Sequence, residues 1–173
     1  MNVLLTGASS GLGLAIARAL IRDTSHRLVL TARESSLRRF RECGIEESER
    51  QWLRPLDVTN EAQRVEVVTE IERRWGGTDV LINNAGFAVR AVVEHVRDED
   101  RSTQEQINYI APLALVRLVL PGMRRKRAGR ILSVSSVGGM MAMPTLSVYS
   151  ASKFALEGAH ESLWYEVKPW GIR

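Results

Sequence analysis

Five short apolar runs alternate with five longer helical periods, and this alternation limits the fold of the 173-residue chain more than any other feature. "NVLLTG", "HRLVLTAR", "QWLRPLDV", "TDVLINNAG" and "GRILSVSS" read as strands. "GLGLAIARALIRD", "SSLRRFREC" and "NEAQRVEVVTEIERRWG" read as helices, the last with Asn60 as N-cap. A long helix is expected within residues 98–127, kinked at Pro112, and a final one from Tyr149 to about Lys168, ended near Pro169 and Gly171. Nearly continuous apolar strands joined by helices imply a parallel sheet covered on both faces. This is the doubly wound α/β class. No repeat, low-complexity stretch or linker interrupts it, so residues 1–173 read as one domain.

Composition is that of a globular chain, 45% hydrophobic and 25% charged, with enough length for a real core. No apolar run reaches the roughly 18 residues of a membrane span, so none is expected. The start, "MNVLLTGASSGLG", reads as a strand and not as a signal peptide. Cys43 is the only cysteine, so no internal disulfide forms, which fits a cytoplasmic location. The net charge of +4 and pI near 9.7 raise nucleic-acid binding as a reading. Its basic residues are scattered, apart from "RRKR" at 124–127, a cluster that suits a solvated helix C-terminus and has no interleaved aromatics. His26, His95 and His160 show no metal spacing, and Trp52, Trp75, Trp164 and Trp170 read as core or interface filler.

In a doubly wound fold, ligands lie outside the carboxyl ends of the strands. "TGASSGLG", Thr6 to Gly13, sits at the end of the first strand. No Gly-Lys pair follows it, so it is not a triphosphatase phosphate loop. Its glycines fall at 7, 11 and 13, and Ile16 holds the last place of a G-x-G-x-x-G fingerprint. The turn is wider, and the amides of a helix starting near Gly11 can face a pyrophosphate. Enzymes that prefer NAD place an acid at the end of the second strand. Here Ala32 stands there, followed by Arg33, whose guanidinium suits a 2′-phosphate, so NADP is favoured over NAD.

Tyr149 precedes Lys153 by one helical turn. An ordinary phenol keeps its proton far above neutral pH, and an adjacent ammonium favours the ionised form. Alone, the pair could be surface packing, Ser136 a strand-end cap, Asp57 a helix cap and Asn108 a helix residue making local bonds.

Together, "TGASSGLG", "NNAG" at 83–86, Ser136 and "YSASK" at 149–153 resemble the short-chain dehydrogenase/reductase family, over the whole chain. Ser136 lies 13 residues before Tyr149, and Asn108 lies 28 before Ser136. "SVGGMMAMP" with "VYSASKFALEG" looks closest to hydroxysteroid and retinol dehydrogenase-like members. The resemblance implies a Rossmann-type NAD(P)-binding domain and an oxidoreductase acting on a hydroxyl or carbonyl of an apolar, steroid-like or retinoid-like substrate. It implies Tyr149 as acid/base, Lys153 on Tyr149 and the nicotinamide ribose, Ser136 on the substrate oxygen, and Asn108 anchoring a water. Thr6, Gly7, Ser9, Ser10, Gly11, Leu12 and Gly13 would surround the pyrophosphate. Asp57 and Val58 would lie beside adenine, and Asn84, Ala85 and Gly86 below it. The two long helices would form a homodimer or homotetramer.

Family members continue beyond "KPWGIR" into a sixth strand, a segment over the nicotinamide, a substrate loop and a seventh strand. The domain is therefore expected to be C-terminally incomplete, with Ile172 and Arg173 opening the sixth strand. A non-catalytic NADP-binding module is the competing reading.

Overall fold

β1 (Asn2–Leu5) is the middle strand of a parallel sheet, and its position follows from its sequence. All four of its residues are apolar or hydrogen-bonded and buried. β2 (Arg27–Ala32) and β3 (Gln51–Pro55) lie to one side, β4 (Val80–Asn83) and β5 (Arg130–Ser133) to the other, in the order β3-β2-β1-β4-β5. Leu4 pairs with Val29 and with Leu81, so these three share one face. Leu5 pairs with Leu30 and Ile82 on the other. The computed structural model describes all residues, 1–173.

Each face acquires its own helices. α1 (Gly11–Arg22) and α2 (Arg38–Glu42) contribute Ala17 and Phe40 to the core over Leu5. α3 (Glu61–Trp75) brings Val67 and Ile71 to the opposite core, over Leu4. The Asn60 side chain caps α3 by accepting from the Gln63 amide at 3.1 Å, as its sequence predicts. Burying each large apolar side chain stabilises the fold by about 1.5–3 kcal/mol. The chain leaves β1 for β2 and β3, then returns to place β4 on the other side of β1. That reversal opens a crevice above β1 and β4.

α4 (Asp98–Glu105) and α5 (Ala111–Lys126) form one continuous helix through a π-helical turn at Gln106–Ile110. Where a kink is expected at Pro112, the helix carries a π turn just before the proline, and the Ala111 amide reaches back to the Gln106 carbonyl. By length and composition this helix could match a membrane span, contrary to the sequence expectation. Its apolar stripe is occupied instead by the core, where Leu115, Val116, Val119 and Met123 are buried.

α6 (Ser147–Val167) begins two residues before Tyr149. Beyond it, Ile172 forms a parallel bridge with Gly129, and the Ile131 amide donates to the Arg173 carbonyl at 2.8 Å. These last residues thus run alongside β5, as their sequence suggests. Trp52 stacks on Trp75 with ring centroids 3.7 Å apart. Trp164 and Trp170 are exposed, so only the first pair serves as core filler. The basic run closes α5: Lys126 pairs with Asp79, Arg125 with Glu72, and Arg124 lies over Trp170.

Candidate active site

The glycine turn is held from below by β4. The Asn84 side chain donates to the Thr6 carbonyl at 2.9 Å and the Gly7 carbonyl at 3.0 Å. In return, Thr6 Oγ1 accepts from the Asn84 and Ala85 amides. Gly7 has φ 65°, and a Cβ on Gly13 would lie 2.1 Å from the Gly7 carbonyl oxygen, so a side chain is excluded there. Ser10 precedes α1 without a side-chain cap, which leaves the first amides of a 12-residue helix free to meet an anion.

A cleft of 470 Å³ runs over the ends of β1, β2 and β4. Gly7, Ser9, Ser10, Leu12 and Gly13 line it, with Asp57, Val58, Asn84, Ala85 and Gly86. Arg33 lies at the β2 end, and Asn108, Tyr149 and Lys153 at the other. Thr6, Gly11 and Ser136 are not on its wall. Thr6 is 1% exposed and serves the β4 turn. Ser136 Oγ accepts from the Gly138 amide at 3.1 Å, so it caps the short turn Val137–Gly139. Its neighbour Ser135 lines the cleft, with a buried Oγ that has no protein partner.

Sequence reasoning missed two further groups, Ser36 and Arg39, which line the cleft beside Arg33. The Ser36 amide donates to the Arg33 carbonyl at 2.7 Å, folding this segment back on itself. Six residues of separation hide the two guanidiniums from a motif search. Only the turn at Glu34–Ser36 brings them to the same cleft.

At the other end, Lys153 is 5% exposed, and its Nζ donates to the Val134 carbonyl at 2.9 Å. Burial pushes its pKa below the usual lysine value, and Glu157 opposes that shift. Its ammonium lies 6.0 Å from the Tyr149 ring centre. No protein group bonds the Tyr149 hydroxyl, so the phenol is available to a ligand. Asn108 is 1% exposed; its Oδ1 accepts from the Phe87 amide at 2.9 Å and its Nδ2 donates to the Phe87 carbonyl at 2.8 Å and to Ser152 Oγ at 3.1 Å. Behind the cleft, Ser133 Oγ lies 2.8 Å from His160 Nε2.

A crevice with free helix amides at its centre, guanidiniums at one end and a phenol beside an ammonium at the other suits a phosphorylated dinucleotide and a proton transfer. The family model for short chain dehydrogenases matches residues 1–173. The chain belongs to the short-chain dehydrogenase family. The chain is 37% identical over 171 residues to the 3-ketodihydrosphingosine reductase of Bacteroides thetaiotaomicron, covering 99% of this chain and 60% of that one. It is 36% identical over 175 residues to human retinol dehydrogenase 8, across 99% of this chain and 55% of the relative. A short-chain dehydrogenase from Streptomyces avermitilis superposes with a TM-score of 0.92 at 34% identity, over 99% of this chain and 63% of the other. The chain thus spans about 60% of the length of such relatives. The relatives are named as reductases and dehydrogenases, and members of the family use NAD(P)(H).

Proposed function

We propose that this short-chain dehydrogenase interconverts a hydroxyl and a carbonyl on a small apolar molecule, using NADP(H), with Tyr149 as the acid/base. The observation that carries the reading is the convergence of Tyr149, Lys153 and Asn108 at one end of the cleft whose other end holds Arg33 and Arg39.

The residues present fit the cofactor. The open amides at the start of α1 would hold the pyrophosphate, Asp57 and Val58 the adenosine, and Arg33 with Arg39 the 2′-phosphate. The nicotinamide, when bound, supplies or accepts the hydride. Tyr149 then donates a proton to the developing alkoxide, or takes it from the alcohol. Lys153, held by the Val134 carbonyl, places its positive charge beside that phenol. Ser136 keeps its hydroxyl proton to donate to the substrate oxygen, since its one protein bond is an accepted one. Both ends of the Asn108 carboxamide are engaged, and Pro112 has no N–H to give the Asn108 backbone carbonyl, which would be the atom that anchors a water.

Apolar substrate chemistry is supported by Val137, Met140 and Met141, which are 58%, 75% and 59% exposed just beyond Ser136. Two relatives are named for 3-ketodihydrosphingosine and for retinol. A second copy of the chain would cover Phe154, Trp164 and Tyr165, exposed on α6, and Ile110 on the π turn. A purely nucleotide-binding role leaves the paired Tyr149 and Lys153 without a purpose.

The test has two stages. NADPH and NADH are titrated into the chain by fluorescence, and apolar ketones are then offered to the NADPH-bound protein. Tyr149→Phe is expected to lower turnover by about 10²–10⁴-fold while NADPH still binds. Turnover equal to that of the unaltered chain would refute the acid/base role.

A further inference from the structure

Two loops flank Tyr149, residues 86–97 after β4 and residues 134–146 before α6. The first loop and the start of α6 are tied through Asn108, which bonds Phe87 on one side and Ser152 Oγ on the other. Ser152 Oγ in turn donates to the Tyr149 carbonyl at 2.7 Å. Between these ties, the Val89 amide donates to the fully buried Gln104 side chain at 3.0 Å. The first loop is therefore a short bar pinned to the long helix.

The middle of the first loop is hydrogen-bonded to the end of the second at Thr145. Its carbonyl accepts from the Ala91 amide at 3.0 Å, and its Oγ1 accepts from Arg90 Nε at 2.9 Å. Thr145 Oγ1 also donates to the Pro144 carbonyl at 2.6 Å. The backbone there has φ 65°, a left-handed conformation that a β-branched residue adopts only when its surroundings impose it. A glycine would relax that backbone, yet it would carry no hydroxyl for Arg90. Four residues separate Thr145 from Tyr149, so the bonds close a ring: Asn108, Phe87, Arg90, Thr145, Tyr149 and Ser152.

We infer that Arg90 and Thr145 form a strap that joins the two walls of the substrate mouth and fixes the first turn of α6, making them positioning residues for the Tyr149 phenol. The inference rests on the reading of Tyr149 as the acid/base. The strained Thr145 is the hook, and Arg90 is the arm that holds it.

Amide hydrogen exchange on the free chain, with steady-state kinetics beside it, tests this. Arg90→Ala should speed exchange about fivefold in residues 143–149 as well as in 86–92, as loss of one hydrogen bond linking the two would. Thr145→Ser should keep the exchange of the unaltered chain, and adding Arg90→Ala to Thr145→Ala should cause no further change. With NADPH and an apolar ketone that the unaltered chain reduces, Arg90→Ala should also lower kcat about fivefold with KM nearly unchanged, the split expected of a misplaced acid/base. Affinity for 2′-AMP should stay unchanged, because Arg33 and Arg39 lie at the other end of the cleft. Faster exchange confined to 86–92, or an unchanged kcat in a folded Arg90→Ala chain, would overturn the strap. Failure of the acid/base role would appear separately, as full turnover in Tyr149→Phe, with the exchange coupling intact.

Discussion

The Asn84 carboxamide donates to the Gly7 carbonyl at 3.0 Å, across a separation of 77 residues, and so braces the glycine turn from the strand beside it. The second asparagine of "NNAG" therefore acts on the fold of the turn before any ligand arrives. The close approach has a steric cost for any neighbour, because the same Asn84 Nδ2 would lie 2.4 Å from a Cβ on Gly13.

Gly13→Ala should for this reason lose nucleotide binding and lower stability by about 1–3 kcal/mol, since backbone and Asn84 must both shift. Urea unfolding measures the second effect. A midpoint equal to that of the unaltered chain would mean that the turn yields freely.

Arg33→Ala and Arg39→Ala should each weaken NADPH roughly tenfold, the scale of a charge-assisted hydrogen bond, and leave NADH unaffected. Competition between 2′-AMP and 5′-AMP separates the same contact without a nicotinamide. Equal losses for NADPH and NADH would assign the two arginines to general attraction of anions instead.

Asn108→Ala removes three hydrogen bonds at a nearly fully buried site and leaves the Phe87 amide without a partner. An orphaned buried donor costs about 1–3 kcal/mol, which chemical denaturation should show. Hydrogen exchange at Phe87 should rise first, ahead of the strands. Retained protection there would mean that another acceptor replaces Oδ1.

His160 predicts a pH dependence of stability. Burial holds its pKa below the usual value near 6.5, with Glu157 opposing the shift. As pH falls, the unfolded chain therefore binds this proton before the folded chain does. Stability is full above about pH 6.5 and declines as pH drops through the lower folded value. His160→Gln should flatten that part of the decline in denaturant midpoints between about pH 7.5 and pH 5. An identical decline in both chains would place the effect on other groups.

Much of the cleft was legible in the sequence because its pieces are local. A glycine turn after an apolar strand, or a lysine one turn after a tyrosine, needs only chain geometry to be recognised. Lys153 and Tyr149 share a helix face whatever lies around them, and Asn60 caps α3 from within its own turn. Arg39 was not legible, because its place beside Arg33 depends on how residues 34–36 fold back. Ser135 facing the cleft while Ser136 caps a turn was equally hidden, since a strand end assigns its side chains to faces only when the sheet fixes its register.

By itself, the sequence determined a doubly wound sheet, since its alternating apolar runs and helical periods admit no other buried arrangement, and it determined the family through motifs in fixed order. Tertiary structure alone decided which side chains reach one another. The parallel order β3-β2-β1-β4-β5 carries Thr6 to Asn84, Lys153 to Val134 and Arg90 to Thr145. Such contacts span 19 to 78 residues, and no local preference encodes them. They exist because the two hydrophobic cores, once packed, bring those atoms within bonding distance.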